Sequence, residues 1–215
     1  MKKVKFIVFI CLFILLPLAY FNGFIRISDL TSEQESIAKK YGGVYVFDEK
    51  LEKEIDKREE ERDKVNKEIL KEVSNIQDKE EQNKQLRLLL QEKFYDNPKL
   101  ERVLSNGKKY YSRKDNIKID NYKILNNYEE KLKEFMGKDY DKYENYLSIN
   151  LGYFYIDNDT IVPISIGVST LYTEVTFGLY GDEASGIKFT KESTQRLIGD
   201  NKFYLIDNKF QKINK

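Results

Sequence analysis

Histidine is absent from this chain, and with it the commonest general base near neutral pH and the commonest metal ligand. The single cysteine, Cys11, lies inside an apolar run, so no intramolecular disulfide and no Cys₂ or Cys₄ metal site can form. Its setting, Val8-Phe9-Ile10-Cys11, comes early in that run with no small residues before it, so it reads as a plain thiol rather than a lipid attachment point. Tryptophan is also missing, which leaves 16 tyrosines and 13 phenylalanines to supply the aromatic surface. Charge of one sign is lacking too. The formal net charge is +1, and no block of the sequence departs far from balance, which removes global support for nucleic-acid binding.

What is present begins with Lys2, Lys3 and Lys5, followed by an uncharged stretch from Phe6 to Phe21 that reaches Ile27 with few polar interruptions. A span of about 20 apolar residues crosses a hydrocarbon core of about 30 Å. The sequence therefore predicts a single transmembrane helix over 6–27, carried by Phe6, Ile7, Phe9, Leu12, Phe13, Leu16, Tyr20 and Phe21. Poor cleavage sites favour an uncleaved signal anchor over a signal peptide. The preceding lysines predict a cytoplasmic tail over 1–5 and a body outside the cell membrane, with secretion after cleavage as the alternative.

A linker over 28–47 follows, with a short helix started by a capping box from Ser32 to Glu35, a stop at Gly42-Gly43 and a brief strand over 44–47. From Glu49 to Tyr95 there is no proline or glycine, and strong helix formers dominate. Asp48 is suited to cap this run and Pro98 to end it. The segment 48–96 thus predicts a long charged helix. Its heptad seam runs through Leu51, Ile55, Val65, Ile69, Ile76, Asn83, Leu86 and Leu90, diluted by Arg58 and Arg62 at seam positions. Three arrangements suit it: a coiled coil with a protein partner or a second copy, a helical hairpin broken near Ser74-Asn75 or a helix docked on its own domain, or a single solvated helix.

Residues 98–215 read as an α+β domain. Leu100–Leu104 predicts a short helix. Tyr128, Leu132, Phe135 and Met136 mark one apolar helix face ended by Gly137, with Tyr140 and Tyr143 on a second helix. The period then falls to two. Strands are expected over 151–156, 160–168, 171–180 and 187–190, with Asp157-Asn158-Asp159 as a turn, a short helix over 191–198 and a last strand over 203–206. The fold class expected is α+β: a transmembrane helix, a long charged helix, then helices followed by a mostly antiparallel sheet.

Sharper chemical readings fail on spacing. Gly181-Asp182-Glu183-Ala184-Ser185-Gly186 lacks the lysine and the following helix of a phosphate loop. Asp157-Asn158-Asp159 lacks the glycine and final glutamate of a calcium loop. Asp139, Asp141 and Glu144 read as an exposed helix face rather than a hydrolytic pair. The basic stretch Lys108–Lys114 reads as a solvated hairpin. No catalytic, metal or cofactor residue is assigned, and the chain is expected to be a non-enzymatic, membrane-anchored assembly or interaction component of the cell envelope. The alternative is a cell-wall polymer or ligand-binding module using a tyrosine-rich face with Tyr153, Tyr155, Tyr172 and Tyr180, and a third reading is a carboxylate-dependent hydrolase.

Overall fold

A computed structural model describes residues 2–17, 25–115, 117–119, 122–125, 127–181 and 186–213. It has helices plus a mixed set of strands, an α+β chain, arranged as two compact units. The first comprises residues 1–43, 142–148 and 168–201; the second comprises 44–141, 149–167 and 202–215.

The N-terminal apolar segment departs from expectation. Helix α1 (Lys2–Ile10) continues through a π-helical turn over Cys11–Leu15, and Phe6, Ile7, Phe9, Leu12, Phe13 and Leu16 are all exposed. Among the described residues no helix is long and apolar enough to cross a membrane. At the far end of the predicted span, Ile25–Ser28 form strand β1, antiparallel to Phe177–Glu174, with Arg26 ion-paired to Glu174 at 3.6 Å. A backbone committed to a ladder cannot complete a helix of about 20 residues. The predicted transmembrane anchor is therefore corrected, and the single-pass and cell-membrane placement that rested on it goes with it. Tyr20 and Phe21 lie outside the described residues.

In the first unit, helix α2 (Ser32–Tyr41) starts one residue from the expected capping box: Thr31 caps it, and Gln34 returns the hydrogen bond at 2.7 Å. Its buried face is Gln34, Ile37, Ala38 and Tyr41. Strand β8 (Ser165–Tyr180) enters this unit at residue 168 and is flanked there by β1 and by β9 (Lys188–Ile198), both antiparallel, and β5 (Leu147–Leu151) also pairs with β8. Strand β9 replaces the helix expected over 191–198. Lys191, Glu192, Gln195 and Arg196 favour a helix locally, but the ladder with β8 runs from Ser169↔Ile198 to Tyr180↔Lys188, and cross-strand pairing outweighs a few tenths of a kcal/mol of propensity. The chain returns from β9 through Gly199, where a Cβ would meet the carbonyl oxygens of Ala38 and Gly42.

In the second unit the charged run is two helices, α3 (Glu49–Val73) and α4 (Lys79–Leu90). Asp48 caps α3 by accepting from Leu51 N, and Asp78 caps α4 by accepting from Glu80 N and Glu81 N. Between them Ser74 Oγ donates to the Lys71 carbonyl, so Ser74 and Asp78 supply local bonds that compete with continuing the helix. Helix α4 folds back on α3: Gln82 donates to the Val73 carbonyl and Lys93 pairs with Glu72 at 2.8 Å. One wide turn over Gln91–Tyr95 and a 3₁₀ turn over Pro98–Leu100 carry the chain out, in place of the helix expected over 100–104.

A four-stranded mixed sheet in the order β3 (Tyr110–Ser112), β6 (Tyr153–Asp157), β7 (Thr160–Pro163), β4 (Lys123–Ile124) follows. Asn158 and Asp159 turn β6 into β7 with φ of 45° and 59°, the left-handed pair that suits a tight hairpin. Helix α5 (Asn127–Met136) buries Leu132 and Met136 and ends at Gly137, φ 58°. Helix α6 (Lys138–Tyr143) starts in this unit, and its Tyr140 is buried. An aromatic core joins Tyr45 of β2 (Gly43–Val46), Phe203 of β10 (Asn201–Ile206), Phe210 of β11 (Lys209–Lys212) and Phe135 of α5, with centroids 4.5–5.9 Å apart. A second buried cluster of Ile55, Leu104, Tyr110 and Ile164 sits under α3.

Candidate functional site

A cleft of about 600 Å³ lies in the second unit between α3, the turn Gln91–Tyr95, the segment after Leu100, and β3. Its wall is an ionic lattice. Arg102 is gripped on two sides: Nε and Nη2 meet the Glu59 carboxylate at 2.9 and 3.2 Å, while Nη1 meets both oxygens of Asp115 at 2.8 and 3.0 Å. The fully buried Tyr110 donates its hydroxyl to Glu59 at 2.7 Å. Arg62 approaches Glu59 at 3.5 Å, donates to the Leu100 carbonyl, and lays its guanidinium over Phe94 at 4.5 Å.

Asp115, Tyr110 and Arg102 are shifted by their surroundings. Burial alone would raise the Asp115 carboxyl, but the bond from Ser112 N and the Arg102 charge outweigh it and hold the group below the usual carboxylate range. Burial, then donation to Glu59 and the charge of Glu59, push the Tyr110 phenol well above its ordinary value. Burial opposes the charge on Arg102, yet its bond to Glu59 and the Glu59 and Asp115 charges keep it firmly cationic. These groups satisfy one another: two arginines meet two carboxylates, and the Tyr110 phenol donates to one of them.

The mouth differs from the wall. Tyr95 is 66% exposed, and Lys109, also exposed, stands 5.9 Å over the half-buried Tyr111 ring. These groups offer ring faces and one flexible cation. Nearby, Lys108 is taken up by Asp157 at 2.6 Å, so the basic stretch 108–114 is not a uniformly free patch.

The residues singled out from sequence scatter. Tyr153 and Tyr155 lie on β6, packed against the Ile55–Tyr110 cluster, whereas Tyr172 and Tyr180 lie on β8 in the first unit, opposite Gln195 and Lys188. They belong to different sheets and form no single face of one sheet. Of the seam residues, Ile55 and Ile69 are buried, Leu51, Val65, Ile76, Leu86 and Leu90 are half-buried, and Asn83 is exposed. Asp141 and Glu144 are exposed. Residues 182–185 of the glycine-flanked loop lie outside the described residues. Among the described residues no group of three or more acidic or cysteine side chains is placed to hold a metal.

The cleft lattice was missed by motif reasoning, although one signal pointed to it. Arg58 and Arg62 occupy seam positions where an apolar residue is wanted, and Arg62 turns inward with only 17% of its side chain exposed. Charged residues on a buried stripe mark a polar partner elsewhere in the chain. Compared with family models, curated proteins and solved structures, the chain matches none.

Proposed function

We propose that this chain is a non-enzymatic interaction protein, an assembly component that receives a segment of a protein partner in the cleft of its second unit. The observation that carries this reading is the division of labour in the cleft: charged groups lock one another in the wall, while Tyr95, Tyr111 and Lys109 stand at the mouth. Tyrosine and arginine dominate energetic hot spots at interfaces, because they give large contact area with a polar tip. A rigid wall lowers the entropy lost on binding.

The test is site-specific photo-crosslinking in the cells that make the protein. A photoreactive residue at Tyr95 should trap one protein neighbour, and Tyr111→Ala with Lys109→Glu should abolish that product. The same probe at exposed Leu88 on α4 should not trap it. Equal capture from both positions, or a reaction catalysed by the purified protein and lost in Glu59→Gln, overturns the reading.

A further inference from the structure

We propose that strand β9 is a self-complementary sheet edge that pairs antiparallel with β9 of a second copy of this chain, about a two-fold axis at Thr194. It involves only residues of the first unit and stands apart from the cleft. Among the described residues β9 pairs with β8 alone, so the outer row of N–H and C=O groups over its 11 residues is open. Such an edge is a template for another strand unless something blunts it; Lys188–Ile198 contains no proline, but its charges, Lys188, Lys191, Glu192 and Arg196, admit only a strand of matching charge.

Charge placement selects the occupant. Antiparallel strands related by a two-fold place opposed side chains on the same sheet face, so each register opposes residues of one parity. Lys188, Glu192, Arg196 and Ile198 share the exposed face, with Thr190 and Thr194 between them. Centring on Glu192 sets that carboxylate against its own copy and Lys188 against Arg196, which repels. Centring on Ser193 opposes no charges. Centring on Thr194 sets Glu192 against Arg196, twice by symmetry. Glu192 and Arg196 make no ion pair with another described residue. The same register opposes Thr190 to Ile198, whose side chain is 70% exposed in the single chain. An edge that attracts itself in one register, is neutral in the next and repels itself in the one beyond specifies a two-fold dimer rather than an open-ended stack.

Sedimentation of the full chain over a concentration series tests this. Wild type should form a dimer. E192R and R196E alone should each weaken it by about tenfold or more, since two attractive cross-strand pairs become repulsive. The combined E192R/R196E chain should regain wild-type affinity. Amide exchange across Phe189–Leu197 should slow as wild type dimerises, and unchanged circular dichroism should show that the variants fold. A monomer at all concentrations, or an association indifferent to the charge variants and held by another surface, overturns the proposal.

Discussion

Replacing Arg102 with leucine removes the one cation that bridges Glu59 and Asp115. The side chain makes two forked contacts, and all three partners are about three-quarters buried. Removing one member of a fully buried pair costs about 3–5 kcal/mol. Here both carboxylates keep other donors: Glu59 retains Tyr110 and Arg62, and Asp115 retains Ser112. We therefore expect a smaller loss, about 2–3 kcal/mol. With a urea slope of about 2–3 kcal/mol per molar, the midpoint should fall by about 1 M. Arg102→Lys, which keeps the charge but loses the fork, should recover part of that loss. Because the chain has two units, the transition should be followed by a probe inside the second, such as the Tyr110 ring resonances. The pH dependence adds a sign. The folded Asp115 carboxyl lies below its unfolded value, so its contribution is complete above about pH 4 and is lost as pH falls through the folded value. The gap between wild type and Arg102→Leu should narrow on acidification through that window. A loss under about 0.5 kcal/mol, within the range of ordinary surface changes, refutes the lattice as the support of the cleft.

Three further outcomes are expected. Asn201→Ala should cost about 1–3 kcal/mol in thermal or chemical denaturation, because its Nδ2 donates to the Lys39 and Gly42 carbonyls at 2.9 and 2.7 Å from a buried site. Gly43→Ala should be worse than Asn201→Ala and measurable as low soluble yield: φ is 142° and a Cβ would stand 2.0 Å from the Asn201 carbonyl oxygen. Lys202→Met should destabilise the second unit by about 2–3 kcal/mol, since it strands the buried Glu52, whose Oε1 now meets Lys202 Nζ at 2.7 Å and whose Oε2 has no partner among the described residues. Restoring stability with Glu52→Leu in the same chain would tie the loss to that stranded charge.

Local rules were legible wherever the chain decides its own structure. Asp48 before a helix, Gly137 after one, and Asp157-Asn158-Asp159 between strands act through neighbouring backbone groups, and each sits at the boundary its residue type implies. Features set by distant partners were not legible. Residues 191–198 carry a helical composition but form a strand because β8 lies beside them. Ile25–Ser28 look like the end of an apolar span but pair with β8. The heptad along α3 looks like an interface with another helix, but Ile55 is used within its own unit against Leu104, Tyr110 and Ile164. The cleft illustrates the same limit: Glu59, Arg102 and Asp115 are ordinary charged residues in sequence, and only the return of α4 and β3 to α3 places them within bonding distance.

The most direct test of the interaction reading is calorimetric titration of the purified chain with the neighbour trapped at Tyr95. Wild type should bind, and Tyr95→Ala/Tyr111→Ala, with its circular dichroism unchanged, should bind about tenfold or more weakly, as expected on removing two aromatic anchors. Equal affinity for the two proteins, or chemical conversion of the added partner, would contradict it.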